Sequence, residues 1–128
     1  MEIKSALMTT AYDLLSGADP FAQGAGHVDP NSAADPGLVF DHGWNDWLAF
    51  LCGTGQLTAS YCPSIAIDPS DLNVASVAIG SLAGAQTVTR TVKNVSDVTE
   101  YYEFVGSVPG IDVVANPASF TIAPGESV

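Results

Sequence analysis

The stretch from Gln86 to Val95, QTVTRTVKNV, decides the fold of this chain. Valines alternate here with threonine, arginine and lysine, which is the period-two pattern of a strand with one face buried and the other in solvent. Similar runs lie at 74–79, 100–105, 111–115 and 119–122, separated by glycine, asparagine and proline. Strands recurring about every ten residues between such turns are typical of an immunoglobulin-like or fibronectin-III-like β-sandwich.

The predicted sandwich is incomplete. A sandwich of this class has about seven strands, whereas only five can be identified between residues 72 and 128. Pro124-Gly125 is a turn signal near the end of the sequence, so we expect the domain to be truncated at its C-terminal strands. Because a missing strand leaves an unpaired edge, a homodimer formed by edge-strand pairing or strand exchange is a further prediction.

Two helices are predicted upstream of the strands. Glu2 to Ser16 carries apolar residues close to the i, i+3, i+4 pattern, with Gly17 as its stop. Trp44 to Cys52 forms the second, and Trp44 and Trp47 on its apolar face are expected in the core. The fold class is therefore mainly β, with a short helical and loop segment before the sandwich.

The region between the helices, Phe21 to Asp41, is rich in glycine and proline. Asp29 and Pro30 predict the start of a helical turn, with Asp29 as its cap and Pro30 at the first position. Pro36-Gly37 predicts a turn, and residues 38–40 predict a short buried extended run. A loop with this many apolar residues is expected to pack.

The charge balance excludes several classes of partner. The sequence has 14 acidic residues against 3 lysines and arginines, a net charge of -11. Nucleic acids and anionic membranes both need clustered basic residues, and no apolar run approaches the ~20 residues that span a bilayer. No signal peptide is visible, and a sequence that opens on a helix pattern is what we expect of a piece cut from a longer precursor.

Metal and cofactor chemistry has weak support. Asp29, Asp35, Asp41 and Asp46 are five or six residues apart, which differs from the every-second-residue rhythm of a compact calcium loop. No metal ligand and no cofactor are therefore predicted, although the scattered carboxylates leave Ca²⁺ binding open.

The two histidines invite a catalytic hypothesis. His27 could act as a general base, or its ring could bond to the backbone of a tight glycine-rich loop. Ser81 lies one position too early for a nucleophile elbow and precedes a strand pattern, not a helix. We therefore predict no catalytic residue in this chain. His42 follows Asp41 in a turn and is expected to be exposed.

Cys52 and Cys62 favour a disulfide that closes a short loop, provided the chain is secreted. Two free buried thiols are the alternative, since one pair cannot build a zinc site without both histidines. Asn94-Val95-Ser96 fits the N-glycosylation sequon, which matters only in a eukaryotic secretory host.

Several of these segments resemble one family. Residues 3–11 (IKSALMTTA) resemble the last helix of the catalytic domain of subtilisin-like serine proteases, and residues 21–30 (FAQGAGHVDP) resemble that domain's closing segment. Residues 35–41 and 47–53 are similar to the segments that come next in the larger, plant-like members. Residues 88–95 match the R-T-V-x-N-V strand of their fibronectin-III-like domain. The resemblance covers nearly the whole chain in the same order.

The resemblance implies three segments. Residues 1–42 would be the C-terminal end of a peptidase domain, 43–71 a helical linker with the cysteine pair, and 72–128 the truncated fibronectin-III-like sandwich. The family's D-[ST]-G, H-G-T and G-T-S-M-A blocks are absent from this sequence. The closing segment is expected to be structural, and its residues are Gly24, Gly26, His27, Pro30, Pro36 and Gly37.

The implied function is a non-catalytic region of a secreted, extracellular or cell-envelope, endopeptidase that works by Ser-His-Asp catalysis. Its partner would be the parent's own peptidase domain, which the sandwich would stabilise or position. The alternative is a free-standing extracellular binding or adhesion module that uses the loop at 96–100 or Tyr101 and Tyr102. The helix face of Ile3, Leu7 and Leu14 discriminates between them, since only a self-sufficient module needs to cover that face itself.

Overall fold

The computed structural model describes residues 2–14, 19–62 and 66–128 of the chain. Within these residues the α-helices lie in the first half of the sequence, and three of the four short strands lie in the second half. In chain order the elements are α1 (Glu2–Thr9), α2 (Pro20–Gln23), α3 (Pro30–Ala33), β1 (Leu38–Val39), α4 (Trp44–Gly53), a 3₁₀ turn (Pro69–Asp71), β2 (Lys93–Asn94), β3 (Glu100–Glu103) and β4 (Ser119–Ile122). Within the described ranges, no helix is long and apolar enough to cross a bilayer.

The strands form two small antiparallel sheets. β1 pairs with β2 through Leu38 opposite Asn94 and Val39 opposite Lys93. β3 pairs with β4 over four residues, from Glu100 opposite Ile122 to Glu103 opposite Ser119. Sheet β1–β2 therefore joins the segment after α3 to residues 72–128, the β-rich part of the chain, which contains β2, β3 and β4.

The core is small, and its residues come from α1, β1, α4, β4 and the position after the 3₁₀ turn. Its buried apolar residues are Ala6, Val39, Ala49, Leu72 and Ile122. Val39 and Ile122 are each 1% exposed, and Asn94 beside them is fully enclosed. Many larger apolar side chains remain at the surface, including Ile3, Val105 and Val114.

The strand predicted at 74–79 does not form a ladder, and the run at 86–95 does so only at Lys93 and Asn94. Side chains occupy the backbone groups that a ladder would use. The Arg90 guanidinium donates to the carbonyl oxygens of Val74 (2.9 Å) and Ser76 (3.1 Å). The guanidinium therefore links residues 74–76 to the run at 86–95, although these two segments are not paired as strands.

The other three predicted strands have different outcomes. The run at 119–122 is β4, as predicted. The run at 100–105 is a strand as far as Glu103. The run at 111–115 is not a strand, because Ile111 N–H closes a turn onto the carbonyl of Val108 at 3.1 Å and Val114 is left 88% exposed. Alternation alone cannot make a strand where no neighbouring strand accepts it.

The first helix is shorter than predicted. It ends at Thr9, and the part of the prediction at 15–18 lies outside the described residues. The hydroxyl groups of Thr9 and Thr10 donate back to the carbonyls of Ser5 (3.1 Å) and Ala6 (2.7 Å). Tyr12 then turns into an extended bridge with His27, which ends the helical hydrogen bonding.

The second long helix is confirmed as α4, Trp44–Gly53. Asp46 caps its start by accepting a 2.6 Å hydrogen bond from the N–H of Gly43. Trp47 packs edge-on against Phe50, with ring centroids 5.7 Å apart. The prediction that both tryptophans are core residues was wrong for Trp44, which sits in the first turn and is 75% exposed.

Candidate functional site

His27 is held in an extended bridge to Tyr12. The two residues exchange backbone hydrogen bonds of 3.1 and 2.8 Å, and their rings stack with centroids 5.2 Å apart. The Nδ1 atom of His27 lies 3.0 Å from the carbonyl oxygen of Val28, so it must carry the proton. The ring thus bonds to the backbone, as its structural interpretation predicts.

Gly26 makes this bridge geometrically feasible. Its φ is +104°, and a Cβ at this position would collide with the carbonyl of Tyr12. Gly24 has a φ of +62° but open space around it. The two glycines therefore serve different needs, one a close approach of backbones and the other only a left-handed turn.

Asp29 caps α3 as predicted. Its Oδ1 accepts from the N–H groups of Asn31 (3.0 Å) and Ser32 (3.2 Å), and the Ser32 hydroxyl donates to Oδ2 at 2.8 Å. These bonds, led by that of the Ser32 side chain, lower the pKa of the Asp29 carboxyl. Pro30 follows at the first helical position. The carboxylate is thereby committed to a cap.

The turn at Pro36-Gly37 touches the β-rich part of the chain. Gly37 has a φ of +67°, and a Cβ there would lie 2.6 Å from the hydroxyl oxygen of Tyr102 in β3. The Gly37 carbonyl accepts from the N–H of Val95 at 2.9 Å. The Tyr102 hydroxyl donates to Glu100, and burial, reinforced by this carboxylate, raises the pKa of Tyr102 to about 12.

His42 is buried, so the prediction that it is exposed was wrong. It is 8% exposed, and its Nδ1 donates to the carbonyl of Asn73 at 2.9 Å. Asn73 in turn donates from Nδ2 to the carbonyls of Asp41 and Thr91, both at 2.8 Å. Trp47 covers the imidazole edge-on, with ring centroids 5.5 Å apart. Hydrogen bonds thus connect the backbone after β1 to Asn73, and through Asn73 to Thr91.

The predicted disulfide between Cys52 and Cys62 is present, with 5.6 Å between the Cα atoms. It ties the end of α4 to the loop after that helix. Gly53 lies at the same point, and a Cβ on it would collide with the carbonyl of Ile67. Over the described ranges, no three His, Cys, Asp or Glu side chains are grouped so that they could hold a metal ion.

An apolar groove of about 340 Å³ lies between α1 and α3. Ile3 is 80% exposed and Leu7 is 40% exposed, although both project from α1 beside it. The groove is lined by Glu2, Ile3, Ala6, Leu7, Pro30, Ala33, Ala34, Pro36, Val39 and Val95. Ile3 and Leu7, two of the three residues whose exposure separates the two predicted functions, therefore line this groove.

Comparisons with known proteins agree with these features. A family model described as a fibronectin type-III domain matches residues 71–128. The subtilisin-like protease SBT2.5 of Arabidopsis thaliana is 38% identical in an alignment 151 positions long, which covers 96% of this chain and 18% of that protein. SBT2.1 of the same plant is 39% identical in an alignment 126 positions long, which covers 88% of this chain and 15% of that protein. The chain belongs to the subtilisin-like protease family.

This assignment confirms the resemblance predicted from residues 3–11, 21–30 and 88–95. The chain spans less than a fifth of the length of SBT2.5 and of SBT2.1. It carries the fibronectin-III-like part of the family, and the match to SBT2.5 extends over nearly all of the chain.

Three side chains that join separate segments of the chain were not predicted from the sequence. Ser5, 4% exposed in α1, accepts a hydrogen bond from the N–H of Phe40 at 2.8 Å. Asn73 and Arg90 bond the backbone around residues 74–76 and 91. Arg90 is the only arginine in a chain of net charge -11, which was a usable signal. Nothing in the local sequence marks Ser5 or Asn73.

Proposed function

We propose that this chain is a non-catalytic C-terminal region of a secreted subtilisin-like serine endopeptidase, and that it stabilises or positions the peptidase domain of that protein. In this proposal the parent hydrolyses peptide bonds by Ser-His-Asp catalysis. The observation that carries it is the open apolar groove between α1 and α3, on a chain whose relatives are proteases several times its length.

The groove favours a partner on energetic grounds. Fully burying an isoleucine or leucine side chain contributes roughly 1.5–3 kcal/mol, and Ile3 and Leu7 leave much of that unused in this chain. A self-sufficient adhesion module has no reason to leave its own helix face open. The exposure of Ile3 therefore favours the peptidase-domain proposal over the free-standing module.

The histidine geometry supports the absence of catalysis within this chain. His27 Nδ1 is bonded to the Val28 carbonyl, and His42 is enclosed against Trp47. We expect a serine-directed fluorophosphonate probe to leave the purified chain unlabelled and casein to remain intact. Covalent labelling of any serine in the chain would refute this part of the proposal.

Secretion is supported by the Cys52–Cys62 disulfide. Disulfides persist in oxidising compartments and are rare where thiols are kept reduced. We therefore propose an extracellular or cell-envelope setting for the chain.

We also propose that the β-rich part is a sandwich with strands missing. Val105 and Val114 are 89% and 88% exposed, and further strands packed on this part of the chain would reduce that exposure. We also propose that two copies of the chain can form a dimer by pairing their edge strands. Light scattering at several protein concentrations would show whether a dimer forms.

The docking proposal can be tested in a chimera. The matching region of SBT2.5 is replaced by this chain, and the half-life of peptidase activity at elevated temperature is measured. We expect Ile3→Gln to shorten that half-life, because the substitution removes apolar area from the docked surface.

Trp44→Gln is the matched control. Trp44 is 75% exposed, close to the 80% of Ile3, but it lies outside the groove, so its substitution should leave the half-life unchanged. In the isolated chain, neither substitution should move the melting temperature, since both side chains are in solvent. Equal effects of the two substitutions in the chimera would contradict docking through the groove.

A further inference from the structure

The asparagine of the sequon, Asn94, is completely enclosed. Its Nδ2 donates to the carbonyl oxygens of Val98 at 2.9 Å and of Ile122 at 3.1 Å. A carboxamide nitrogen has two N–H donors, so both are used inside the protein. The side chain thereby bridges β2, the following turn and the end of β4.

The rest of the sequon is equally engaged. The backbone N–H and the hydroxyl of Ser96 both donate to Asn94 Oδ1 at 2.8 Å. The main chain of Asn94 exchanges further bonds with Gly125 and Glu126, of 2.9 and 3.0 Å. An asparagine with a serine two residues on serves here as the link between three segments of backbone.

N-glycosylation needs the same nitrogen. A bond forms between Nδ2 and C1 of the first sugar, one N–H proton is lost, and the bond from C1 to the diphosphate of a lipid-linked oligosaccharide donor breaks. The glycan is bulky and belongs on the surface. The glycan would remove one of the two N–H donors that now bond the carbonyls of Val98 and Ile122, and it would have no room beside Val39 and Ile122, which are each 1% exposed.

We propose that Asn94 is a conditional glycosylation acceptor, open only while the chain is unfolded, and that a glycan at Asn94 and the native fold exclude each other. Its occurrence in the living source rests on the proposed secretion, whereas the exclusion itself rests only on the geometry. Folding and glycan transfer then compete for one nitrogen atom.

The experiment expresses the full chain behind a cleavable signal peptide in a cell-free system with endoplasmic reticulum microsomes. Glycan is detected as a mobility shift that an N-glycosidase reverses. We expect no shift in the folded wild-type chain. A larger glycosylated fraction is expected when Ile122→Ala delays folding, or when reductant keeps Cys52 and Cys62 apart. Ser96→Ala, which removes the sequon, should abolish that fraction.

Ala85→Asn in a Ser96→Ala background is the matched acceptor control. Ala85 lies on an exposed loop two residues before Thr87, so the substitution makes a sequon that folding leaves accessible. We expect it to carry glycan whether or not folding is delayed. Its modification shows that the chain has entered the microsomes, independently of any docking role or native secretion.

Two results would overturn the proposal. One is a glycan on Asn94 in a chain that retains the wild-type melting temperature. The other is an unmodified Asn94 in the Ile122→Ala chain under conditions where the Ala85→Asn sequon is modified.

Discussion

At the scale of single residues, the close approach of two backbone segments explains the position of His27 better than side-chain chemistry does. His27 is positioned by its bridge to Tyr12 and not by a neighbouring nucleophile. Gly26 allows that bridge because no Cβ fits against the Tyr12 carbonyl. The sequence indicated that Gly24 and Gly26 serve the structure of this segment. It could not show which of them tolerates a Cβ less well, because the clash at Gly26 depends on Tyr12, a residue in a different segment of the chain.

The glycine ranking is testable. Gly24→Ala should cost about 1–2 kcal/mol, the penalty for a left-handed residue with a side chain. Gly26→Ala should cost more, because its Cβ also collides with the Tyr12 carbonyl. Urea denaturation of the two variants compares them directly, and equal losses would show that the bridge is not tightly held.

Tyr102 predicts a pH dependence at the same scale. Its pKa is raised from 10.0 to about 12 by burial and by Glu100, so the neutral hydroxyl is favoured in the folded state. The resulting stability is fully present below pH 10 and is lost as the pH rises through about 12. Tyr102→Phe cannot ionise and lacks this dependence.

The measurement is the difference in unfolding free energy between the wild type and Tyr102→Phe across that pH window. The difference should move against the wild type as the pH rises. A difference independent of pH would mean that the pKa of Tyr102 is not raised in the folded state.

At the scale of elements, side chains replace part of the expected ladder. The Asp71 carboxylate accepts from the N–H of Thr89 at 2.7 Å, and Asn73 Oδ1 accepts from the N–H of Thr91 at 2.8 Å. The Arg90 guanidinium adds further hydrogen bonds to the backbone of residues 70–76. Alternation therefore predicted where the chain is extended and half buried, but not that its backbone would bond to side chains.

Arg90→Met tests this arrangement. It removes the donors to the carbonyls of Ser70, Val74 and Ser76, and we expect a loss of about 2–3 kcal/mol, as for hydrogen bonds to a charged group. Lys4→Met removes one positive charge from an exposed helical site and should change stability by less than about 0.5 kcal/mol. Similar losses in thermal melts of the two variants would assign the effect to net charge instead.

The disulfide gives a second prediction for an element. Replacing both Cys52 and Cys62 with serine should lower stability by about 2–3 kcal/mol, because the short loop after α4 gains freedom in the unfolded chain. Calorimetry with and without reductant provides the check. Reductant should lower the melting temperature of the wild type but leave the double variant unchanged, and any shift in the double variant would point to another cause.

At the scale of the whole molecule, the three predicted segments are joined by contacts that cross between them. β1 pairs with β2, His42 bonds Asn73 and lies edge-on to Trp47, and Asp71 accepts from the N–H of Thr89. The Glu2–Lys93 ion pair, at 2.9 Å, adds a link from α1 to β2, although exposed pairs of this kind contribute little.

We therefore predict one cooperative unfolding transition for the isolated chain. Tryptophan fluorescence reports on α4, where both tryptophans lie, and far-ultraviolet circular dichroism reports on all elements. Their denaturation curves should coincide. Separate midpoints would show that the helical segment and the β-rich part unfold independently.

The sequence by itself determined what depends on near neighbours along the chain. This includes the cap at Asp29, helix α4, strand β4, and, through the order of its motifs, the protease family. The cap arises from hydrogen bonds that span a few residues, α4 and β4 are marked by the period of their apolar residues, and the family is marked by the order of motifs along the chain. The tertiary structure alone decided that α1 ends at Thr9, that His42 is buried and that Asn94 is enclosed. In each case the deciding partner, such as Asn73 or Ile122, lies far along the sequence, and only folding brings its backbone within hydrogen-bonding distance.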